Sequence, residues 1–131
     1  MFGRSGFALV LGVAVAFVVG ASARPAYAIK QFFDQFKAVY VKPDSSDANE
    51  KALAAEVETA KCNVCHVGGN KKERNSYGDA LAELLDKKED KENVEKIKKA
   101  LETVAAKPSG VGDATFGDLI KQGKLPGGAA K

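Results

Sequence analysis

The chain has 131 residues, enough for one domain and not for two. Its 20 Lys and Arg against 17 Asp and Glu give a formal net charge of +3, which argues against the basic surface of a nucleic-acid binder. Tryptophan is absent and aromatics make up 8% of residues, so the chain can bury only a modest core by itself.

The first 28 residues read as an export signal. Arg4 supplies a positive start, Phe7 to Gly20 is an unbroken apolar and glycine run, and Ala26-Tyr27-Ala28 matches the small-residue pattern that a signal peptidase cuts. Ala21-Ser22-Ala23 is a second possible cleavage site. The run is short of the roughly 20 apolar residues a bilayer span needs, which weighs against an uncleaved anchor. Cleavage after Ala28 removes Arg4 and Arg24 and no acid, leaving 18 basic against 17 acidic side chains in a single domain over 29–131. The expected location is the periplasm or an equivalent extracytoplasmic compartment, with membrane contact only through the signal.

Ile29, Phe32, Phe33, Phe36, Val39 and Tyr40 recur at helical spacing, which predicts an amphipathic helix with an aromatic face. Pro43 ends it, and Asp44-Ser45-Ser46-Asp47 offers several caps for a second helix. That helix, Ala48 to Lys61, carries Leu53, Val57 and Ala60 on one side and runs directly into Cys62.

The only two cysteines and the only histidine then fall within five residues, Cys62-Asn63-Val64-Cys65-His66. This is C-x-x-C-H, the attachment signature of a c-type haem. Two thiols three residues apart on a helical turn can each reach one vinyl group of a haem, and the next residue can aim an imidazole at the iron. Three rivals use the same residue types. A thioredoxin-like dithiol belongs at the start of a helix beside a parallel sheet, and no strand run rich in Val, Ile, Thr or Tyr is visible after residue 28. A zinc site needs four ligands, or three and water, and here no distant partner exists. A cysteine nucleophile needs a base placed by the fold rather than next in sequence.

After His66 the segment Val67 to Arg74 reads as a polar loop. Ser76-Tyr77-Gly78-Asp79 is expected to open a third helix as a capping box, with Leu81, Leu84 and Leu85 inward. Asp90 to Ala106 is the strongest helical pattern, with Val94, Ile97, Leu101, Val104 and Ala105 in a stripe. Its mixed lysines and acids read as a solvated face; the sharper reading is a docking patch for an acidic redox partner. Pro108-Ser109-Gly110 breaks the chain, Thr115 to Asp118 caps a last short helix through Ile120, and Gly123 stops it. The tail from about Lys124 reads as irregular. The expected fold is therefore all-α, four or five helices around one group.

Through Cys62-Asn63-Val64-Cys65-His66, preceded by a helix and an export signal, the chain resembles the c-type cytochromes. The resemblance implies one covalent haem c, thioethers at Cys62 and Cys65, His66 as proximal iron ligand, and electron exchange with redox partner proteins. Arg74-Asn75-Ser76-Tyr77-Gly78 is similar to a segment that follows the motif in some exported haem proteins, which implies Arg74 or Tyr77 near a haem propionate. The chain departs from the class I pattern in one respect: the only methionine is Met1, and no second histidine exists. The sixth ligand then comes from a lysine, Tyr77, Asn63 or the new amino terminus at Ile29. Otherwise the iron is open to a gas or peroxide, or a larger complex supplies the missing surface. By a loose likeness, Leu125 of Gly123-Lys124-Leu125-Pro126 would face an open iron. Without a distal histidine, peroxidase activity is disfavoured and no catalytic residue is assigned.

Overall fold

The structure is a computed structural model describing residues 27–68 and 70–129. The signal expected over 1–28 lies outside them, except for Tyr27 and Ala28. Among the described residues no helix is long and apolar enough to cross a membrane.

Helix α1 spans Tyr27–Tyr40. Helix α2 spans Ala48–Ala60 and is capped by Asp47, whose carboxylate accepts from the N–H groups of Asn49 and Glu50 at 2.8 and 3.0 Å. This satisfies two of the backbone donors a helix start leaves unpaired. Leu53, Val57 and Ala60 are its buried side. A 3-10 turn over Lys61–Val64 follows, then strands β1 (His66–Val67) and β2 (Asn70–Arg74), helix α3 (Ser76–Ala82) and helix α4 (Val94–Ala105). Strands β3 (Pro108–Val111) and β4 (Ala114–Thr115) lead into helix α5 (Phe116–Lys121).

The all-α expectation is corrected here. Among the described residues the chain is mixed, with five helices and two antiparallel two-stranded sheets, β1–β2 and β3–β4. Turn chemistry overrides the polar composition at both places. Val67 pairs with Asn70 just past Gly68, which sits at φ +61, and Val111 pairs with Ala114 across Gly112 at φ +56. A glycine in a two-residue connection supplies the left-handed backbone that a tight hairpin needs. Strands this short carry no alternating apolar signature, so only the turns betray them.

Helix α4 packs against α1, α3 and α5, and α2 packs against the 3-10 turn and α5. Phe36, Leu53, Val57, Ile97, Leu101 and Val104 are among the fully buried side chains at the centre. Each large apolar side chain so buried contributes about 1.5–3 kcal/mol. The α4 stripe holds at Ile97, Leu101 and Val104, whereas Val94 is exposed. Thr115 and Asp118 form the expected capping box, and Gly123, at φ +75, ends the element. A Cβ on Gly123 would lie 2.6 Å from the Asn49 carbonyl oxygen, so glycine also permits α5 to close on α2. From Lys124 to residue 129 the tail has neither helix nor strand, yet Leu125 and Pro126 are buried.

Helix α4 starts four residues later than its pattern suggests. Asn93 caps it by accepting from the Lys96 N–H at 3.0 Å. Asp90 instead turns inward, accepting from the Asp86 N–H at 2.8 Å and the Lys96 ammonium at 2.7 Å. These bonds, the Lys96 one foremost, hold the Asp90 carboxyl below its usual range. A depressed carboxylate stabilises the fold above its unfolded value, about 3.9, and that stabilisation is lost as pH falls through the lower folded value. Asp90→Asn is expected to lower the melting temperature at pH 7, and the gap to wild type should close as the pH is taken below about 4. A gap that is the same at pH 7 and pH 3 would refute this role.

Candidate functional site: a cleft around the C-x-x-C-H turn

Helix α2 ends at Lys61, which has φ +49 and ψ −114. A side chain in that region strains the backbone by about 1–3 kcal/mol, and such strain gathers at functional sites. The break turns the chain out of α2, with Cys62 on the following 3-10 turn and Cys65 capping its end. Cys62 is exposed, Cys65 is half-buried, and the two are not joined by a disulfide. Burial pushes the Cys65 thiol up to about 12, and Cys62 adds to the rise.

His66 opens β1 and is 5% exposed. Its Nδ1 lies 3.0 Å from the Glu73 carbonyl oxygen on β2. A carbonyl oxygen can only accept, so the proton of the neutral ring sits on Nδ1 and Nε2 keeps the lone pair. This is how proteins orient an imidazole that binds a metal. The hairpin that replaces the expected loop is thus what holds His66. Its register also sets Arg74 opposite His66.

The two cysteines, His66 and Arg74 all line one cleft of about 690 Å³. Helix α1 contributes Phe32 and Phe33 to its wall, and α3 with the residues after it contributes Gly78, Leu81 and Leu85. Lys30, Lys61, Lys87 and Lys88 also line it, with Asp86 as the acid among the lining residues.

Two residues that the sequence reading did not single out hold the turn from behind. The Asn75 side chain donates to the carbonyls of Asn63 and Val64 at 3.3 and 3.0 Å. Its carbonyl oxygen caps α3 by accepting from the Gly78 N–H at 2.9 Å, and its own backbone N–H donates to the Cys65 carbonyl at 3.0 Å. Asn75, not Ser76, is therefore the cap of α3. Gly78 lies so close to the Cys65 carbonyl that a Cβ there would collide with it. Gly127 packs on the Asn75 side chain with equally little space, so the buried tail braces the same residue.

Tyr77 and Leu125 are placed elsewhere. Tyr77 is fully buried between Phe36 and Phe116, with ring centroids 5.8 and 5.3 Å away, and is not among the cleft-lining residues. Burial raises its phenol well above the ordinary range, and its hydroxyl has no hydrogen-bond partner among the described residues. Leu125 belongs to the apolar core and does not line the cleft either.

The geometry bears on the rival chemistries. A reactive dithiol has its thiol lowered at a helix N-terminus. Here the cysteines follow the C-terminal end of α2, where the helix dipole disfavours a thiolate, and the Cys65 thiol is raised. Among the described residues no group of three or more His, Cys, Asp or Glu is arranged to hold a metal ion, which gives a zinc centre no support. Compared with family models, with curated proteins and with solved structures, the chain matches none.

Proposed function

We propose that the chain is an exported c-type haem protein with one covalent haem c, serving electron transfer with redox partner proteins. The observation that carries this reading is the gathering of Cys62, Cys65 and His66 on one cleft, with the His66 Nδ1 proton already committed to Glu73. The cleft volume of about 690 Å³ lies within the range of about 300–1,000 Å³ typical of cofactor pockets. Cys62 and Cys65 would add their S–H bonds across two vinyl groups, forming two thioethers and consuming no oxidant. His66 would give its Nε2 lone pair to the iron. Phe32, Phe33, Leu81 and Leu85 would exclude water from an apolar ring, and Arg74 would face one of its carboxylates. When bound, the haem supplies a one-electron iron couple whose potential follows its axial ligands and burial.

A second reading, an open haem that binds an exogenous ligand, is favoured by the cleft lining. Among the described residues it contains no methionine and no histidine besides His66, and Leu125 packs in the core. Absorption spectra of the exported protein, ferric, ferrous and ferrous with carbon monoxide, separate the two. A low-spin spectrum unmoved by carbon monoxide supports electron transfer with a sixth ligand from the chain. A high-spin spectrum that shifts supports the open haem. A protein with no haem spectrum at all after export refutes both.

A further inference from the structure

We propose that the cleft admits a small inorganic anion to the iron, so that the chain is a binding protein for anionic ligands rather than for neutral gases alone. This rests on the haem reading above and on its open form. The argument starts from the donor set. Among the described cleft-lining residues no methionine and no second histidine is present, and Tyr77 is committed to the core. Among the described residues, the remaining lining side chains that could offer a lone pair are lysine amines, which hold a proton at neutral pH unless deeply buried, and the Asp86 carboxylate. Asp86 is already engaged, accepting from the N–H groups of Lys88 and Glu89 at 2.7 and 3.0 Å.

Charge then selects the visitor. Among the described residues five basic side chains line the cleft against one acid. Lys30 is offset by Asp34 at 2.8 Å, which leaves Lys61, Arg74, Lys87 and Lys88 against Asp86. Two haem propionates would offset two of these, so the mouth still carries excess positive charge. A charged cleft with apolar walls concentrates ions of the opposite sign. Lys87 and Lys88 are both exposed, so their charges can be reversed without disturbing the core.

The experiment titrates the ferric, haem-loaded protein with azide, followed in the Soret band at low and at high ionic strength. It is repeated on Lys87→Glu with Lys88→Glu. Wild type is expected to bind azide with a spectral change. The affinity should fall about tenfold or more in the double variant and fall again with added salt. Carbon monoxide binding to the ferrous form, which involves no charge, should be alike in both. A haem-loaded protein whose spectrum azide does not move has its sixth position filled from within, and the inference fails while the haem assignment stands. Azide affinity indifferent to both salt and the two substitutions also overturns it. Absence of covalent haem overturns the functional reading together with this one.

Discussion

Replacing Cys62 and Cys65 together by alanine is expected to abolish haem stain after denaturing electrophoresis of the exported protein. Denaturation removes any group held only by the His66 nitrogen and by packing, so stain that survives reports thioether bonds. The two thiols are the chain's only cysteines, and both line the cleft. The change costs little in packing, since Cys62 is exposed and Cys65 half-buried. Loss of stain should therefore come without loss of the fold in the helical circular-dichroism signal. Retained stain in the double variant would remove the attachment assignment outright.

Gly78→Ala should be the most damaging single-methyl change near the site. The new Cβ would meet the Cys65 backbone carbonyl far inside van der Waals contact, with the Arg74 Cβ 3.2 Å away. Backbone on one side and a helix start on the other cannot both relax. Relief would have to separate α3 from the attachment turn and break the Asn75 bonds to Asn63, Val64 and Cys65. Overpacking of this kind costs about 3 kcal/mol or more. For a domain of this size that corresponds to a fall of about 15 °C in melting temperature. It should be accompanied by weaker haem incorporation, because the spacing of Cys65 and His66 shifts with the turn. A variant within about 2 °C of wild type would show that the close approach of α3 to Cys65 is not part of the folded state.

The helical part of the fold was readable because its signals are local. Asp47 before an alanine-rich run, the Leu53-Val57-Ala60 spacing, the Ile97-Leu101-Val104 stripe and the Thr115–Asp118 capping box each depend on neighbours within two turns. The two hairpins were missed although Gly68-Gly69 and Gly112-Asp113 stand between their paired residues. Glycine-bearing dipeptides of this kind are hairpin signals in sequence, but strands of two to five mostly polar residues gave them no flanking pattern. The displaced start of α4 has a related cause: Asp90 sits within helical range of the stripe but is drawn inward by Lys96 and the Asp86 backbone.

By itself the sequence determined the chemistry on offer: two thiols and one imidazole at C-x-x-C-H spacing, no methionine after the first residue, and no other histidine. Covalent spacing along a chain is a property of the sequence and needs no fold to be read. Only the tertiary structure decided how that imidazole is held and what surrounds it. A β-hairpin brings the Glu73 carbonyl to Nδ1 and Arg74 opposite His66, and α3 passes over the cysteine turn at glycine distance. Tyr77 and Leu125, which sequence alone would allow near an iron, are drawn into the apolar core. Burial of a large side chain depends on surfaces contributed by helices far apart in sequence, and no local pattern specifies which of them meet.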